Sequence, residues 1–387
     1  MRALAPETDS SHLIRALDLA RAGIALASPN PQVGSVIVTP EGAIAGEGFH
    51  AYENKKHAEI LAIEQAGDKT RGATLYVNLE PCSHQGRTGP CADAVIAAGI
   101  ARVVCCMEDP NPQVAGQGFA KLRAAGIEVE VGAFEEEARK LNEAFAKYIR
   151  HKTPLVTLKC AMTLDGKIAL ATRGTSDQGK TSKGAARTDW ITGEAARAHV
   201  QQLRHQSDAI LTGIGTILAD DPLLTDRTAN DRTALPRRRP LLRVVLDSRL
   251  RLPLDSRLAQ SAREDILVFT ETTDPARQKE LEALGVRVEQ VARSGEHSLD
   301  LSYILKRLGE LEITSVLLEG GSHLNASALD SGLVDKLFLY MAPKIFGDSA
   351  VAFAAGLHNP IELRNPQHFI FGTDFAIEGY LRNPYTE

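Results

Sequence analysis

The chain has 387 residues, and at roughly 150 residues per domain this length predicts two or three domains. Hydrophobic residues make up 43% and charged residues 24%, and the net charge of -5 gives no general attraction for nucleic acid. No apolar run reaches the ~20 residues of a membrane helix and the N-terminus lacks the apolar core of a signal peptide, so we expect a cytosolic protein.

Helical and extended patterns alternate along the first half. Leu13, Ala16, Leu17 and Ala20 show the apolar spacing of a helix. Helices are predicted at residues 12–26, 57–65, 91–98, 118–125 and 134–149, and strands at 33–38, 43–47, 74–79, 102–107 and 127–131. This alternation predicts an α/β fold with a mixed or parallel sheet covered by helices.

A domain boundary is predicted near Pro154, where a charged helix end precedes an apolar strand. We therefore predict domains over residues 1–150 and 151–387. Strands are expected at residues 155–160, 208–212, 241–247, 265–270, 286–290, 313–319 and 334–342, with closing strands in 366–384. Helices are expected at residues 194–205, 274–284, 298–309 and 322–330.

Two polar stretches of the second half lack periodicity. Residues 172–187 are rich in Gly, Ser and Lys and predict a mobile loop, either a flap over a cofactor or a surface insertion. Arg237, Arg238 and Arg239 lie between two prolines. They are interpreted as a solvated loop or, alternatively, as a phosphate contact.

The strongest functional pattern is His57-Ala58-Glu59 followed by Pro81-Cys82 and by Cys91. Zinc deaminases use an H-x-E motif and a later pair of cysteines. One imidazole and two thiolates leave a fourth zinc position open for water, which then ionises near neutral pH. Glu59, close to the metal but not bound to it, can carry the proton from this water to the leaving amine.

Three interpretations of this pattern stay open: a catalytic zinc site, a structural zinc site with His84 as a fourth ligand, or no metal. The two cysteines are separated by eight residues rather than by the usual two. The chain has five cysteines, an odd number without disulfide spacing, which fits a reducing compartment. Cys105 and Cys106 stand among apolar neighbours and are interpreted as core thiols.

The spacing of the motifs resembles one family. PNPQVG at residues 29–34, GFH at 48–50, HAE at 57–59 and LEPCSHQGRTGPC at 79–91 resemble the bifunctional riboflavin-biosynthesis deaminase/reductase family. The resemblance implies a cytidine-deaminase-like three-layer domain, in which Asn30 contacts the pyrimidine and His50 and His84 help to hold the ribose phosphate. Asn30 could instead be a turn residue between two prolines, and His50 a packed or surface histidine.

Motifs in the second half resemble the reductase half of the same family, in the same order. They are LKCAMTLDGKI at residues 158–168, WITG at 190–193, SDAIL at 207–211, GTILADDP at 215–222 and LLEGG at 317–321. The resemblance implies a dihydrofolate-reductase-like α/β domain that uses NADPH. The glycine pair after a strand also suits a phosphate-binding turn at a helix start, although it is not a Rossmann motif.

The resemblance assigns the reductase site residue by residue. The residues expected to bind NADPH are Ala161, Trp190, Thr216, Asp220, Ser248 and the turn at Gly321. The residues expected to contact substrate are Thr188, Arg204, Leu224, Arg227 and Glu319. Lys159 and Asp220 are the candidates for polarising and protonating groups. Trp190 could be a packed core residue, and Arg204 and Arg227 could be solvated arginines.

Together these features predict hydrolytic deamination of a diaminopyrimidine ribosyl phosphate, followed by NADPH-dependent reduction of its ribosyl group. The expected partners are this small molecule and, as is common for enzymes, further copies of the chain in a symmetric homo-oligomer. Two other interpretations are a deaminase of other nucleosides or nucleic acid, and a zinc-stabilised binding protein with an inactive reductase half. Glu59 argues against the last, since a structural metal site needs no free carboxylate.

Overall fold

The computed structural model describes residues 7–85, 89–170, 190–228, 233, 235–291, 293–294 and 298–386. Its α-helices, numbered α1 to α11 in chain order, are Glu7–Ala22, Ala58–Ala66, Cys91–Ala97, Gln117–Ala124, Glu135–His151, Glu194–Gln206, Ile214–Asp220, Arg257–Gln260, Pro275–Glu282, Leu301–Glu310 and Ser322–Asp330. Its strands, β1 to β18, are Gly34–Val38, Ile44–Phe49, Thr74–Val77, Arg102–Cys105, Glu128–Val131, Leu155–Thr163, Lys167–Ala169, Ala209–Gly213, Leu242–Leu246, Ile266–Thr270, Val286–Gln290, Arg293–Ser294, Ser298–Leu299, Ser315–Leu318, Lys336–Ala342, Val351–Ala352, Arg364–Phe371 and Asp374–Tyr380. No described helix is long and apolar enough to span a membrane.

The chain packs into two compact units. The first consists of residues 1–153 together with residues 229–239, and the second of residues 154–228 and 240–387. The predicted division into domains 1–150 and 151–387 stays a prediction. In packing, however, the first unit includes a short segment taken from the second half of the chain.

The first unit contains a five-stranded sheet in the order β2-β1-β3-β4-β5. β1 is antiparallel to both its neighbours, whereas β3, β4 and β5 run parallel. All five residues of β1 are buried, as expected for a strand covered on both faces. Helix α2 lies so close to β2 that a Cβ at Gly48 would come within 2.3 Å of the Ala58 carbonyl oxygen. Glycine at this position therefore lets the start of α2 rest directly on the sheet.

The second unit contains a nine-stranded sheet in the order β11-β10-β9-β8-β14-β6-β15-β18-β17. In this sheet order, all strands from β11 across to β15 run parallel to one another. The hairpin of β17 and β18 adds an antiparallel edge next to β15. The central strands are apolar and deeply buried, as in Ala209, Leu211 and Val316. Parallel order brings the carboxyl ends of β9, β8, β14 and β6 to one edge of the sheet, where ligands of open α/β sheets usually bind.

Most predicted elements are present with ends shifted by a few residues. The pattern at residues 298–309 is divided, because β13 ends at Leu299 and Asp300 accepts a hydrogen bond from the Tyr303 amide at 3.0 Å to begin α10. The sequence did not predict helices α7 and α8 or the small strand pairs β7–β16 and β12–β13. The polar stretch 172–187 lies outside the described residues.

Candidate active sites

Three predicted metal ligands converge in the first unit. His57 directly precedes α2, Cys82 follows the end of β3, and Cys91 begins α3. Their ligand atoms lie within 4.8 Å of one another. His57 Nδ1 is 3.1 Å from Cys91 Sγ and 3.6 Å from Cys82 Sγ. The eight residues between the cysteines are thus compatible with a shared site.

The donor set fits a zinc ion. Zinc bonds of about 2.3 Å to sulfur and about 2.0 Å to nitrogen place tetrahedral ligand atoms roughly 3.5 Å apart, close to the two separations found here. His84 is exposed and does not belong to the cluster. Among the described residues no fourth His, Cys or carboxylate joins the three, so one coordination position is left for a water or substrate atom.

The cluster is electrostatically prepared for a metal. Hydrogen bonds from the Cys91 thiol and from His57 lower the pKa of Cys82 to about 4. The backbone amide of Cys91, at the start of α3, also donates a hydrogen bond to Cys82 Sγ, with a distance of 3.3 Å between the two atoms. The hydrogen bond with Cys82 raises the pKa of His57 to about 9. Zinc needs a neutral imidazole, so metal binding must release this proton.

Glu59 lies in the first turn of α2, two residues after His57. It is 3% exposed, and its Oε2 atom has no hydrogen-bond partner among the described residues. Burial raises the pKa of the Glu59 carboxyl, which favours a group that can take up a proton. A buried carboxyl with one unpartnered oxygen beside a three-ligand metal cluster has the placement required of a proton carrier.

Asn30 and His50 form a hydrogen-bonded pair next to this cluster. Asn30 Nδ2 is 3.0 Å from His50 Nε2, and His50 Nδ1 is 2.9 Å from the carbonyl oxygen of Lys56. The carbonyl can only accept, so Nδ1 carries the proton and Nε2 accepts from the amide of Asn30. Burial lowers the pKa of His50, in keeping with a neutral ring. His50 therefore supports Asn30, while its predicted phosphate contact stays a prediction.

Glu80 belongs to the LEPC motif, whose residues alone indicate no role for it, and it anchors the segment that carries Cys82. Its Oε1 accepts from the amides of Gly118 and Phe119 at 2.8 and 3.2 Å, and its Oε2 accepts from those of Gly116 and Asp109 at 2.9 and 3.1 Å. Glu80 is 3% exposed. The sequence signal was a charged residue between buried Leu79 and the metal motif.

Glu80→Gln is expected to lower the free energy of unfolding by about 3 kcal/mol. The new NH₂ group faces two backbone N–H donors and cannot accept their hydrogen bonds, so these buried donors lose their partner. We also expect weaker zinc retention, since Cys82 lies two residues away. Urea unfolding and zinc content after dialysis measure both effects. The exposed Glu128→Gln is the matched control, and equal stability of the two variants would contradict the anchoring role.

In the second unit, Lys159 from β6 and Arg204 from α6 both contact Glu319 at the end of β14. Lys159 Nζ donates to Glu319 Oε2 at 3.0 Å, while Arg204 donates to both carboxylate oxygens at 2.7 and 3.0 Å. Burial alone would raise the pKa of Glu319, but the two cations outweigh it and bring this pKa to about 2. The three residues form a buried ionic network.

This network changes what Arg204 can offer a ligand. Its Nε and Nη2 atoms bind Glu319, and its Nη1 donates to the carbonyl of Thr225 at 3.1 Å. Arg227 has an exposed side chain and is better placed to meet a phosphate. The solvated interpretation therefore does not describe Arg204, and the phosphate contacts of both arginines stay predictions.

Several predicted nucleotide contacts share the carboxyl edge of the nine-stranded sheet. Thr216 lies in α7 directly after β8, Ser248 follows β9, and Gly321 precedes α11 after β14. These three strands are adjacent and parallel. Ala161 lies near the carboxyl end of β6, beside β14. Open space surrounds a Cβ built at Gly321, so the turn is accessible to a ligand.

Other predicted residues are less clearly grouped. Trp190 is 63% exposed and lies 5.1 Å from the Arg197 guanidinium, so it is not a packed core tryptophan. Asp220 is exposed at the end of α7, and within the described residues no hydrogen bond or ion pair joins it to Lys159. Leu224 is buried among core side chains at a φ of 53°, leaving mainly its backbone for a substrate. Thr188 lies outside the described residues.

Both halves of the chain are similar to known protein families. Residues 6–107 match the profile of the cytidine and deoxycytidylate deaminase zinc-binding region, and residues 154–377 match that of the RibD C-terminal domain. The riboflavin biosynthesis protein RibD of Actinobacillus pleuropneumoniae is 41% identical over 384 residues, covering 97% of this chain and 96% of that protein. RibD of Escherichia coli is 42% identical over 348 residues, covering 88% and 89% of the two chains.

Solved structures agree over nearly the full length. RibD of Acinetobacter baumannii aligns with a TM-score of 0.80 at 36% identity and covers 97% of this chain and 99% of its own. A diaminohydroxyphosphoribosylaminopyrimidine deaminase/5-amino-6-(5-phosphoribosylamino)uracil reductase from Thermotoga maritima aligns with a TM-score of 0.77 at 36% identity, with the same coverage.

Fold and sites thus define the class of a zinc-binding deaminase joined to a reductase, and both predicted fold types are confirmed. Within this class, the chain belongs to the RibD family of riboflavin biosynthesis proteins. Family membership also confirms the predicted cofactors, zinc for the first half and NADPH for the second.

Proposed function

We propose that the first unit deaminates 2,5-diamino-6-(5-phosphoribosylamino)pyrimidin-4-one and that the second unit reduces the ribosyl group of the product to a ribityl chain. The observation that carries the first step is the buried carboxyl of Glu59 beside the three metal ligands His57, Cys82 and Cys91. Its Oε2 atom has no hydrogen-bond partner among the described residues. The names of the similar RibD proteins supply the pathway, and the name of the Thermotoga relative supplies the substrate.

In the deaminase half, His57, Cys82 and Cys91 would hold zinc, which when bound supplies a hydroxide-like nucleophile at neutral pH. Glu59 takes up the proton of the attacking water at a carboxylate oxygen and delivers it to the departing amine. Asn30 orients the pyrimidine through its amide, and neutral His50 fixes the rotamer of that amide. Ammonia then leaves.

In the reductase half, Ala161, Trp190, Thr216, Asp220, Ser248 and Gly321 would bind NADPH, which supplies hydride to the ribose C1 position. Arg227 and the backbone of Leu224 would face the substrate, together with Thr188. Glu319 holds the side chains of Lys159 and Arg204 in place. Lys159 would then act as the polarising group, because an ammonium can donate a proton towards the ring oxygen as the ring opens.

The cellular compartment, the oligomeric state and the partners of the enzyme are also proposals. We expect a cytosolic enzyme that works as a symmetric homo-oligomer on a small molecule, without nucleic acid or membrane partners. Five cysteines without disulfide spacing support a reducing compartment, and the net charge of -5 argues against nucleic acid.

Two separate assays test the proposal. Purified protein loaded with zinc should release ammonia from the diaminopyrimidine substrate without NADPH, and should oxidise NADPH only when the deaminated product is present. Removal of zinc with a chelator should stop ammonia release but leave NADPH oxidation with supplied product unchanged. Ammonia release that persists without metal, or absence of both reactions, would refute the proposed function.

A further inference from the structure

Within the arginine cluster at residues 237–239, the side chain of Arg238 is largely buried. Arg238 belongs to the segment of the second half that packs in the first unit. Its side chain is 15% exposed. The position is 210 residues from Ser28, one of its hydrogen-bond partners.

Arg238 contacts two separate loops of the first unit. Its amide donates to the carbonyl of Ala25 at 2.9 Å, and its Nη1 donates to the carbonyl of Ser28 at 2.5 Å. Its guanidinium carbon lies 3.3 Å from the ring centroid of Tyr52, and its Nε lies 3.2 Å from Glu53 Oε1. One guanidinium therefore joins the 25–30 loop to the 50–54 turn.

These contacts differ in strength. Glu53 is 76% exposed, so solvent screens its ion pair with Arg238 and the pair contributes little. The stack on Tyr52 and the hydrogen bond to Ser28 involve a largely buried, planar cation, which Lys cannot reproduce. The buried contacts, rather than the ion pair, are thus what restrains the two loops.

The restrained loops carry the pair that is proposed to hold the pyrimidine. Ser28 lies two residues before Asn30, and Tyr52 lies two residues after His50. The 3.0 Å hydrogen bond between Asn30 and His50 depends on the relative placement of both loops. We infer that Arg238 is a positioning residue for pyrimidine binding in the deaminase, an inference that rests on the proposed deaminase function.

The contacts of Arg238 also account for a basic side chain that does not need to bind phosphate. Nε and Nη1 of Arg238 are engaged by Glu53 and Ser28, and its face is covered by Tyr52. The cation therefore serves protein contacts instead of a ligand. Substrate recognition in the deaminase then depends on residues 229–239, which follow strand β8 and helix α7 of the second unit in sequence but pack in the first unit.

Arg238→Ala tests this role in the full-length, zinc-loaded protein. The KM for the diaminopyrimidine substrate in the ammonia assay is expected to rise about tenfold, with kcat changed by less than about threefold. This split is expected because the metal ligands and Glu59 lie outside both contacted loops. Zinc content and NADPH oxidation with supplied deaminated product are expected to match wild type.

Three further variants separate the contacts. Tyr52→Leu should raise KM to a similar extent, Arg238→Lys should give an intermediate value, and Glu53→Gln should behave like wild type. Arg15→Ala is the matched control, since the hydrogen bonds of this arginine both go to Glu47. It should leave KM unchanged.

An unchanged KM in both Arg238→Ala and Tyr52→Leu would overturn the inference. Loss of zinc, or a parallel loss of both activities in these two variants, would also overturn it by showing a role in folding as a whole. Failure of the proposed function is recognised separately, because wild-type protein would then release no ammonia.

Discussion

Glu59→Gln is expected to reduce ammonia release about 1000-fold, within the range of 10²–10⁴ attributed to a positioned acid–base group. The amide has nearly the same shape but cannot take a proton from the attacking water. Zinc content should stay at the wild-type level because the metal ligands are unchanged. NADPH oxidation with supplied deaminated product should also be unchanged.

The matched control lies on the same helix. Glu64 of α2 is half exposed and pairs with Lys56, so Glu64→Gln removes a carboxylate without touching the metal cluster. Its effect should be small, as is usual for exposed ion pairs. Ammonia release by Glu59→Gln within a few-fold of this control would exclude Glu59 as the proton carrier.

Glu319→Gln is expected to abolish most NADPH oxidation and to lower the free energy of unfolding of the second unit by about 3–5 kcal/mol. The reason is that Lys159 and Arg204 would keep their charges in a buried site without a compensating carboxylate. Denaturant unfolding and NADPH oxidation, each measured on the purified variant, check the two effects.

Removing the charge of Lys159 as well should restore part of the free energy of unfolding that Glu319→Gln loses. Lys159→Met combined with Glu319→Gln is expected to be more stable than Glu319→Gln alone, although still inactive, because one unpaired buried cation is gone. Glu289→Gln is the control, since Glu289 pairs with the half-exposed Arg307. If Glu319→Gln were as stable and as active as this control, the buried network would have no role.

The elements and the metal cluster could be predicted from the sequence because their signals are local. Apolar spacing identifies α1, and a continuous apolar run identifies β1. The metal motif combines, at short spacings along the chain, the residue types that zinc chemistry requires, so His57, Glu59 and Cys82 are predictable from the sequence. Helix α7 was missed because its first residues, Ile214, Gly215 and Thr216, have low helix propensity.

The site residues of the reductase were harder to interpret. The phosphate contact of Arg204 stays a prediction, and the sequence did not show that Arg204 binds Glu319, which is 115 residues away. Lys159 reaches the same carboxylate from 160 residues away. No local pattern shows which of several charged residues will pair when strands from distant parts of the chain become neighbours.

The sequence by itself determined the order of helices and strands, the metal-ligand types and the family, because each depends on residue identity over short spans. Only the tertiary structure decided that Glu80 accepts hydrogen bonds from four amides, that Glu319 binds two cations, and that Arg238 packs in the first unit. These contacts join residues far apart along the chain, and their strength comes from burial, which exists only once the chain is folded.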